Sequence, residues 1–202
     1  MAGRRSVEVF TAFCESHASQ VPFHAVAKLL RAASGIEGLD APTARDRIRA
    51  QVPDTDPEDL ALFDDLLGIA DPQVPLPTID PDARRRRLTA LVNAASLARE
   101  IPAVYVIEDA HWIDEVSESM LADFLSVIPQ TPLLVLVTYR PEYDGALMRV
   151  HGAQTIALAP LRDSELWHWL ESCSDQAPRL AGWARRSRRG PPVFRFRRGD
   201  CA

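Results

Sequence analysis

The sequence predicts an α/β fold in which helices flank a parallel sheet. Its apolar runs, such as residues 104–107, are short and unbroken, as expected of parallel strands that are buried on both faces. Segments with helical spacing of apolar residues separate these runs, so strands and helices alternate along the chain. With 47% apolar and 25% charged residues, the 202-residue chain can form the core of one domain.

The first part of the chain predicts one strand and three helices. Residues 7–13 are rich in β-branched and aromatic side chains and predict the first strand. Residues 21–35 have helical spacing and end in Gly35, which suits a helix C-cap. Two shorter helices are predicted at residues 43–52 and 57–68. The four prolines of residues 69–82 then predict an extended linker, because proline lacks a backbone donor.

The later part of the chain predicts alternating helices and strands. Pro81 begins a helix with an apolar stripe formed by Leu88, Leu91, Val92 and Ala95. After the strand at residues 104–107, Asp114 suits the N-cap of the next helix. Further elements are predicted as a strand leading to Thr138, Tyr139 and Arg140, a strand at residues 153–161 and a helix at residues 163–172.

Four consecutive arginines, residues 84–87, lie in the helix that Pro81 begins. Because the run spans a full helical turn, its charges point in all directions around the helix. One interpretation is a patch that binds an anion or a partner. The other is a solvated helix face, which is the commoner role of such runs.

Charged residues end two neighbouring strands of the predicted sheet. Glu108 and Asp109 follow the strand at residues 104–107, and Arg140 ends the next strand. Ligands of open α/β sheets bind outside the carboxyl ends of the strands. Paired carboxylates there can hold hydrated Mg²⁺ and orient a water molecule, and an arginine can balance phosphate charge. Alternatively, each of these residues is only a polar strand end.

Three segments resemble the STAND ATPases, the signal-transduction ATPases with numerous domains. VYVIEDAHWID is similar to their Walker B strand, LLVLVTYRPEY to their sensor 1 strand, and LAPLRDSE to the turn after their fifth strand. The resemblance covers about residues 7–171. The domain that the chain resembles is the AAA+-related P-loop ATPase domain found beside nucleotide cyclase domains or LuxR-type helix-turn-helix domains in actinobacterial regulators.

The resemblance implies ATP and Mg²⁺ as cofactors and a role for each matching residue. Glu108 and Asp109 would be the metal-associated pair, with Asp109 also polarising the attacking water. Arg140 would be the sensor near the γ-phosphate. His111 would report the nucleotide state or simply cap the following helix, and Trp112 would equally well be a packing residue beneath the loop.

The sequence departs from this family because it contains no P-loop. That motif needs a glycine-rich turn and a lysine, whereas the one lysine of the chain, Lys28, has no glycines before it. The family sheet has the order 5-1-4-3-2, with the P-loop strand between the strands that match residues 153–158 and 133–138. We therefore expect an incomplete P-loop NTPase-like sheet whose central P-loop strand is missing, in a truncated fragment of the family domain.

The domain prediction is a partial ATPase domain at residues 1–175 and a basic tail at residues 176–202. Residues 179–199 contain eight arginines and no acidic residue. This tail is interpreted as disordered, as the product of a frameshift, or as a true basic tail that binds an acidic partner. Codon degeneracy allows the end of this tail to be encoded in many ways. In one such coding sequence, a one-nucleotide shift of the reading frame gives FFASEEIV, which is close to the family pattern.

Three functional hypotheses remain open. The chain is a regulator fragment without ATPase activity of its own, a half-site completed by a partner that supplies the P-loop, or an interaction module that lost the nucleotide. Other regulator chains are the expected partners. The net charge of −5 disfavours nucleic-acid binding, and no apolar run reaches the length of a membrane span. Three widely spaced cysteines, Cys14, Cys173 and Cys201, suggest no disulfide framework, so the cytoplasm is expected.

Overall fold

A computed structural model describes residues 7–158 of the protein. The residues up to Ala153 belong to one compact unit, and residues 154–158 to a second one. The helix predicted at residues 163–172 and the basic tail at residues 176–202 lie outside the described residues.

The order of elements follows the sequence prediction over most of this range. Eight helices and strands are described, and all begin within a few residues of the predicted positions. They are β1 (Glu8–Phe13), α1 (His24–Ala33), α2 (Ala41–Gln51), α3 (Pro57–Leu66), α4 (Pro81–Leu97), β2 (Ala103–Glu108), α5 (Glu115–Leu125) and β3 (Leu133–Val137). Short 3-10 turns lie at Ser16–Ala18, Ala110–Trp112, Ile128–Gln130 and Ala146–Arg149.

Aspartate side chains cap the N-termini of α2, α3, α4 and α5. Asp40, Asp56 and Asp80 each accept a hydrogen bond from a backbone N–H of the first turn, at 2.8–2.9 Å, and a proline follows in each first turn. Asp114 caps α5 in the same way, as predicted. Gly35 follows the C-cap of α1, and its φ of 64° is the left-handed conformation that glycine adopts without steric cost.

The three strands form a parallel sheet in the order β1-β2-β3. Ala12 lies opposite Ile107, which lies opposite Val137, so the carboxyl ends of all three strands meet at one edge. This order equals the 2-3-4 part of the order expected from the resemblance. The α/β class and the parallel sheet flanked by helices are therefore confirmed.

The helices cover one face of the sheet, and the other face is open among the described residues. Ala12, Tyr105 and Ile107 point into the core that the helices form. The alternate residues point away from it, and Leu134 and Leu136 are 54% and 48% exposed. The expectation that the strands are buried on both faces is wrong for this part of the chain, because no described element packs on the second face.

The strand predicted at residues 153–161 is also not formed where the structure describes it. Residues 153–158 have no regular structure, and Ile156 and Leu158 are 79% and 87% exposed. A strand is stabilised by hydrogen bonds to a neighbouring strand. Apolar alternation by itself does not supply that neighbour, and no described strand pairs with these residues.

Candidate functional site

The end of β2 and the residue after β3 are joined by side-chain hydrogen bonds. The hydroxyl group of Thr138 donates to Oε2 of Glu108 at 2.5 Å and accepts from the backbone N–H of Asp109 at 3.0 Å. The backbone N–H of Thr138 also donates to the carbonyl of Ile107 at 2.9 Å. Thr138 therefore holds the predicted acidic pair in place. In the sequence, Thr138 is distinguished only as part of the strand end.

The backbone turns sharply at Asp109. Its φ of 58° and ψ of 40° are left-handed, a conformation that non-glycine residues adopt rarely and that is common at functional sites. The next backbone N–H, that of Ala110, donates to the carbonyl of Thr138 at 2.8 Å. This turn directs the chain away from the sheet and leaves the Asp109 carboxylate 48% exposed at the carboxyl edge.

His111 lies in the turn that follows, with its imidazole ring 10% exposed. Both ring nitrogens are buried and have no hydrogen-bond partner among the described residues, and Nδ1 is 4.0 Å from the Asp109 carboxylate. Burial lowers the pKa of His111 below its usual value, and Arg140 lowers it further, whereas Asp109 opposes the shift. The helix-capping role considered for His111 is wrong, because Asp114 caps α5.

Trp112 packs differently from the expected core residue. Its ring lies 5.2 Å from the ring of His111, and 36% of the residue is exposed. It is absent from the apolar core, so the interpretation of Trp112 as a packing residue beneath the loop is wrong.

Arg140 is exposed and follows β3 by three residues. Because it follows the carboxyl end of β3, it lies at the same edge of the sheet as the acidic pair, and its charge lowers the pKa of His111. No hydrogen bond or ion pair within residues 7–158 joins it to Glu108 or Asp109. The structure thus brings Glu108, Asp109 and His111 close together. Arg140 lies at the same edge of the sheet without a described bond to the acidic pair.

Asp114 connects the acidic loop to α1. This connection was not predicted from the sequence. Its buried carboxylate accepts hydrogen bonds from the backbone N–H groups of Ser117, Phe23 and Ala25, at 2.8, 2.9 and 3.3 Å. The Ser117 hydroxyl accepts from Val26 N–H at 3.2 Å. The N-termini of α1 and α5 therefore share one acidic cap. The capping pattern around Asp114 was visible in the sequence, but its second helix was not.

Lys28 does not act as a P-loop lysine in this chain. Its ammonium group pairs with Glu15 after β1, and this pairing lowers the pKa of the Glu15 carboxyl group. Nearby Cys14 is buried, and that burial, followed by the charge of Asp114, raises the pKa of its thiol to about 12. Cys14 is therefore an unreactive thiol at neutral pH.

The arginine run on α4 is used mostly within the molecule. Arg84 pairs with Asp65 at 2.5 Å and Arg85 with Asp123 at 2.9 Å. Arg87 bonds to three acidic residues at the start of α3, namely Asp56, Glu58 and Asp59. The run is thus neither a free anion patch nor a purely solvated face, since these pairs join α4 to α3 and α5.

The acidic pair fits a magnesium ion that keeps most of its water ligands. Mg²⁺ is usually bound through one or two carboxylates together with substrate phosphates and water. Within residues 7–158, Oε1 of Glu108 accepts no hydrogen bond, and Asp109 is half exposed. No cluster of three or more histidine, cysteine or acidic side chains in this range could hold a metal by itself. A metal here would therefore need ligands from the nucleotide.

Comparison with known proteins identifies the family. The profile of the AAA ATPase domain family matches residues 2–137, and the chain belongs to this family. The matched region includes Glu108 and Asp109 and ends just before Thr138. No helix among the described residues is long and apolar enough to cross a membrane.

The comparison also finds a relative of the chain in a bacterium. An uncharacterized protein of Rhizobium meliloti (strain 1021) is 33% identical over 147 residues. The aligned region is 68% of this chain and 14% of that protein, so the chain spans a small part of its relative. No solved structure matches the chain.

Proposed function

We propose that the chain carries the Walker B and sensor half of an ATP site from a STAND-type regulatory ATPase. The observation that carries this proposal is the hydrogen-bonded group of Glu108, Asp109 and Thr138 at the carboxyl ends of adjacent parallel strands. Ligands of such sheets bind at this edge. Membership of the AAA ATPase domain family supports a nucleotide as the ligand.

Each side chain has a distinct task in this proposal. In a completed site, Glu108, oriented by Thr138, would associate with Mg²⁺, and Asp109 would polarise the water that attacks the γ-phosphate. When bound, Mg²⁺ neutralises charge on the phosphate oxygens. Arg140 is exposed and able to reach a phosphate group. Neutral His111, with both nitrogens unpaired, is free to form a hydrogen bond when a nucleotide binds.

The chain alone is proposed to lack ATPase activity. Phosphoryl transfer depends on positioning and on charge stabilisation, which a P-loop supplies through backbone amides and a lysine. The sequence contains no such loop, and Lys28 is already paired with Glu15.

The test is an ATPase assay on the purified chain beside Asp109→Asn. We expect both proteins to hydrolyse ATP at the background rate. The matched control is Asp144→Asn, since the Asp144 side chain is 87% exposed. If the wild type and the control hydrolyse ATP and Asp109→Asn does not, the proposal that the chain alone lacks ATPase activity is refuted.

Two alternatives are a half-site that a P-loop-bearing partner completes and an interaction module that binds no nucleotide. The sheet face that is open within residues 7–158 favours both, because Val9, Leu134 and Leu136 expose apolar surface that a partner could cover. Adding a P-loop-bearing family segment in trans separates the two proposals. Mg²⁺-dependent ATP binding that requires both chains would support the completed half-site.

The regulatory setting belongs to the same proposal. STAND-type domains of this form accompany cyclase or LuxR-type output domains in regulators. We propose a role in signal transduction or transcriptional regulation on the resemblance of the VYVIEDAHWID and LLVLVTYRPEY segments.

A further inference from the structure

A cavity of about 600 Å³ lies at the opposite end of the sheet from the acidic pair. Its walls come from α1, α2, α3 and α4, and its base includes Glu8 at the start of β1 and Ile101 just before β2. None of the residues of the candidate nucleotide site lines it. Its volume lies within the range of about 300–1,000 Å³ that is typical of small-molecule sites.

The lining of this cavity combines an apolar wall with polar and charged groups. Leu91, Val92 and Ala95 continue the apolar stripe that the sequence predicts on α4, but only Leu88 of that stripe is fully buried. The other three residues line the cavity, which therefore leaves an apolar helix face only partly covered. An apolar molecule that displaces water from this face binds favourably, because apolar surface of both partners is removed from water.

The charged residues of the cavity leave one cation without a partner. Arg99 pairs with Glu8, donates to the carbonyl of Ile101 at 2.9 Å and lies over the ring of Phe10. Arg47, by contrast, forms no hydrogen bond or ion pair with another described residue. Its guanidinium group lies against Gly35, where an added Cβ would be 3.4 Å from Nη2.

The remaining charged lining residue limits the charge of the ligand. Glu100 is an exposed carboxylate without a described partner, so it disfavours a second anionic group in the cavity. The exposed guanidinium of Arg47 lines the same cavity as the apolar wall, and it suits a single carboxylate, which arginine can bind with two parallel hydrogen bonds. A nucleotide or polyphosphate would bring several negative charges and a polar body.

We propose that this cavity binds a small monocarboxylate with an aliphatic or aromatic body. The carboxylate pairs with Arg47, and the apolar body lies against Leu91, Val92 and Ala95. This site is independent of the proposed ATP half-site, because the two lie at opposite ends of the strands.

The test is titration of the full chain with decanoate below its micelle concentration, followed by ligand-detected NMR. We expect saturable binding that Arg47→Gln weakens about threefold, because an ion pair of an exposed arginine contributes little. Arg86→Gln is the matched control, since Arg86 is likewise an exposed arginine, on α4 and outside the cavity. Decanol, which has the same apolar body without the charge, should bind about threefold more weakly than decanoate.

A second variant tests the apolar wall. Ala95→Phe, with its fold checked by circular dichroism, should fill the cavity and reduce decanoate binding at least about tenfold. Binding should be unchanged in Asp109→Asn, which separates this proposal from the nucleotide site. The proposal is overturned if folded wild type does not bind decanoate, or if Arg47→Gln and Arg86→Gln bind it equally.

Discussion

The buried carboxylate of Asp114 joins the acidic loop to α1. It ends the loop that begins at Asp109, and it also holds the first turn of α1 through Phe23 and Ala25. Phe23 has a left-handed φ of 63°, so this cap maintains a strained backbone. A movement of the acidic loop would therefore also displace the first turn of α1.

Substitution of Asp114 tests this role at the residue scale. Asp114→Ala leaves buried N–H groups without acceptors, and each such loss costs about 1–3 kcal/mol. We expect a fall of about 2–5 kcal/mol in the free energy of unfolding, measured by urea denaturation. The control is Asp123→Ala, which removes one surface ion pair with Arg85 and should cost less than about 1 kcal/mol. Equal losses in the two variants would show that the shared cap is unimportant.

Strand β3 is the element whose environment is least complete. Its inner edge pairs with β2, and no described strand pairs with its outer edge. Leu134 and Leu136 are exposed on the open face beside Val104 and Val106, which are half-buried. An exposed apolar strand with a free edge promotes association between chains.

At the element scale we expect the isolated chain to self-associate through this face. The double variant Leu134→Thr, Leu136→Thr keeps β propensity and removes apolar surface, so it should raise the soluble concentration severalfold. Light scattering after size exclusion measures the mass at several concentrations. The matched control, Val74→Thr with Leu76→Thr, removes similar exposed residues from the linker and should change little. A wild type that stays monomeric at every concentration would contradict this expectation.

At the scale of the whole molecule, the proposed nucleotide site has its acidic residues, and the sequence contains no P-loop that would hold phosphate. The helices form a core on one face, and the carboxyl edge retains Glu108, Asp109 and Thr138 in contact. Within residues 7–158, the open face and the unpaired edge of β3 leave room for a further strand and helix. This arrangement motivates a rescue at the scale of the whole protein.

We expect a grafted P-loop strand and helix from the family to restore Mg²⁺-dependent ATP binding. Phosphate contacts of a P-loop are mostly backbone amides at a helix N-terminus, so they transfer with the segment. Nucleotide titration of the grafted chain measures the result. A copy with Lys→Ala in the grafted loop should bind at least about tenfold more weakly, which is about 1.4 kcal/mol. If the grafted protein folds and neither copy binds ATP, the half-site proposal is wrong.

Local signals in the sequence were sufficient for most of the elements. The aspartate and proline pairs at the helix starts, Gly35 and the prolines of the linker act through nearby backbone atoms, so position along the chain reveals them. The same reasoning placed Glu108 and Asp109 at a strand end. Their meeting with Thr138 follows from the parallel pairing of β2 and β3, which was also expected.

The tertiary structure decided what depends on neighbours distant in sequence. It left Leu134 and Leu136 exposed and residues 153–158 without a strand, because an apolar run forms a buried strand only where other elements cover and pair with it. It gave Asp114 a second helix to cap, and it left Arg47 unpaired beside an apolar cavity. Short-range chemistry determines a helix start or a turn, whereas coverage and pairing arise only from long-range packing.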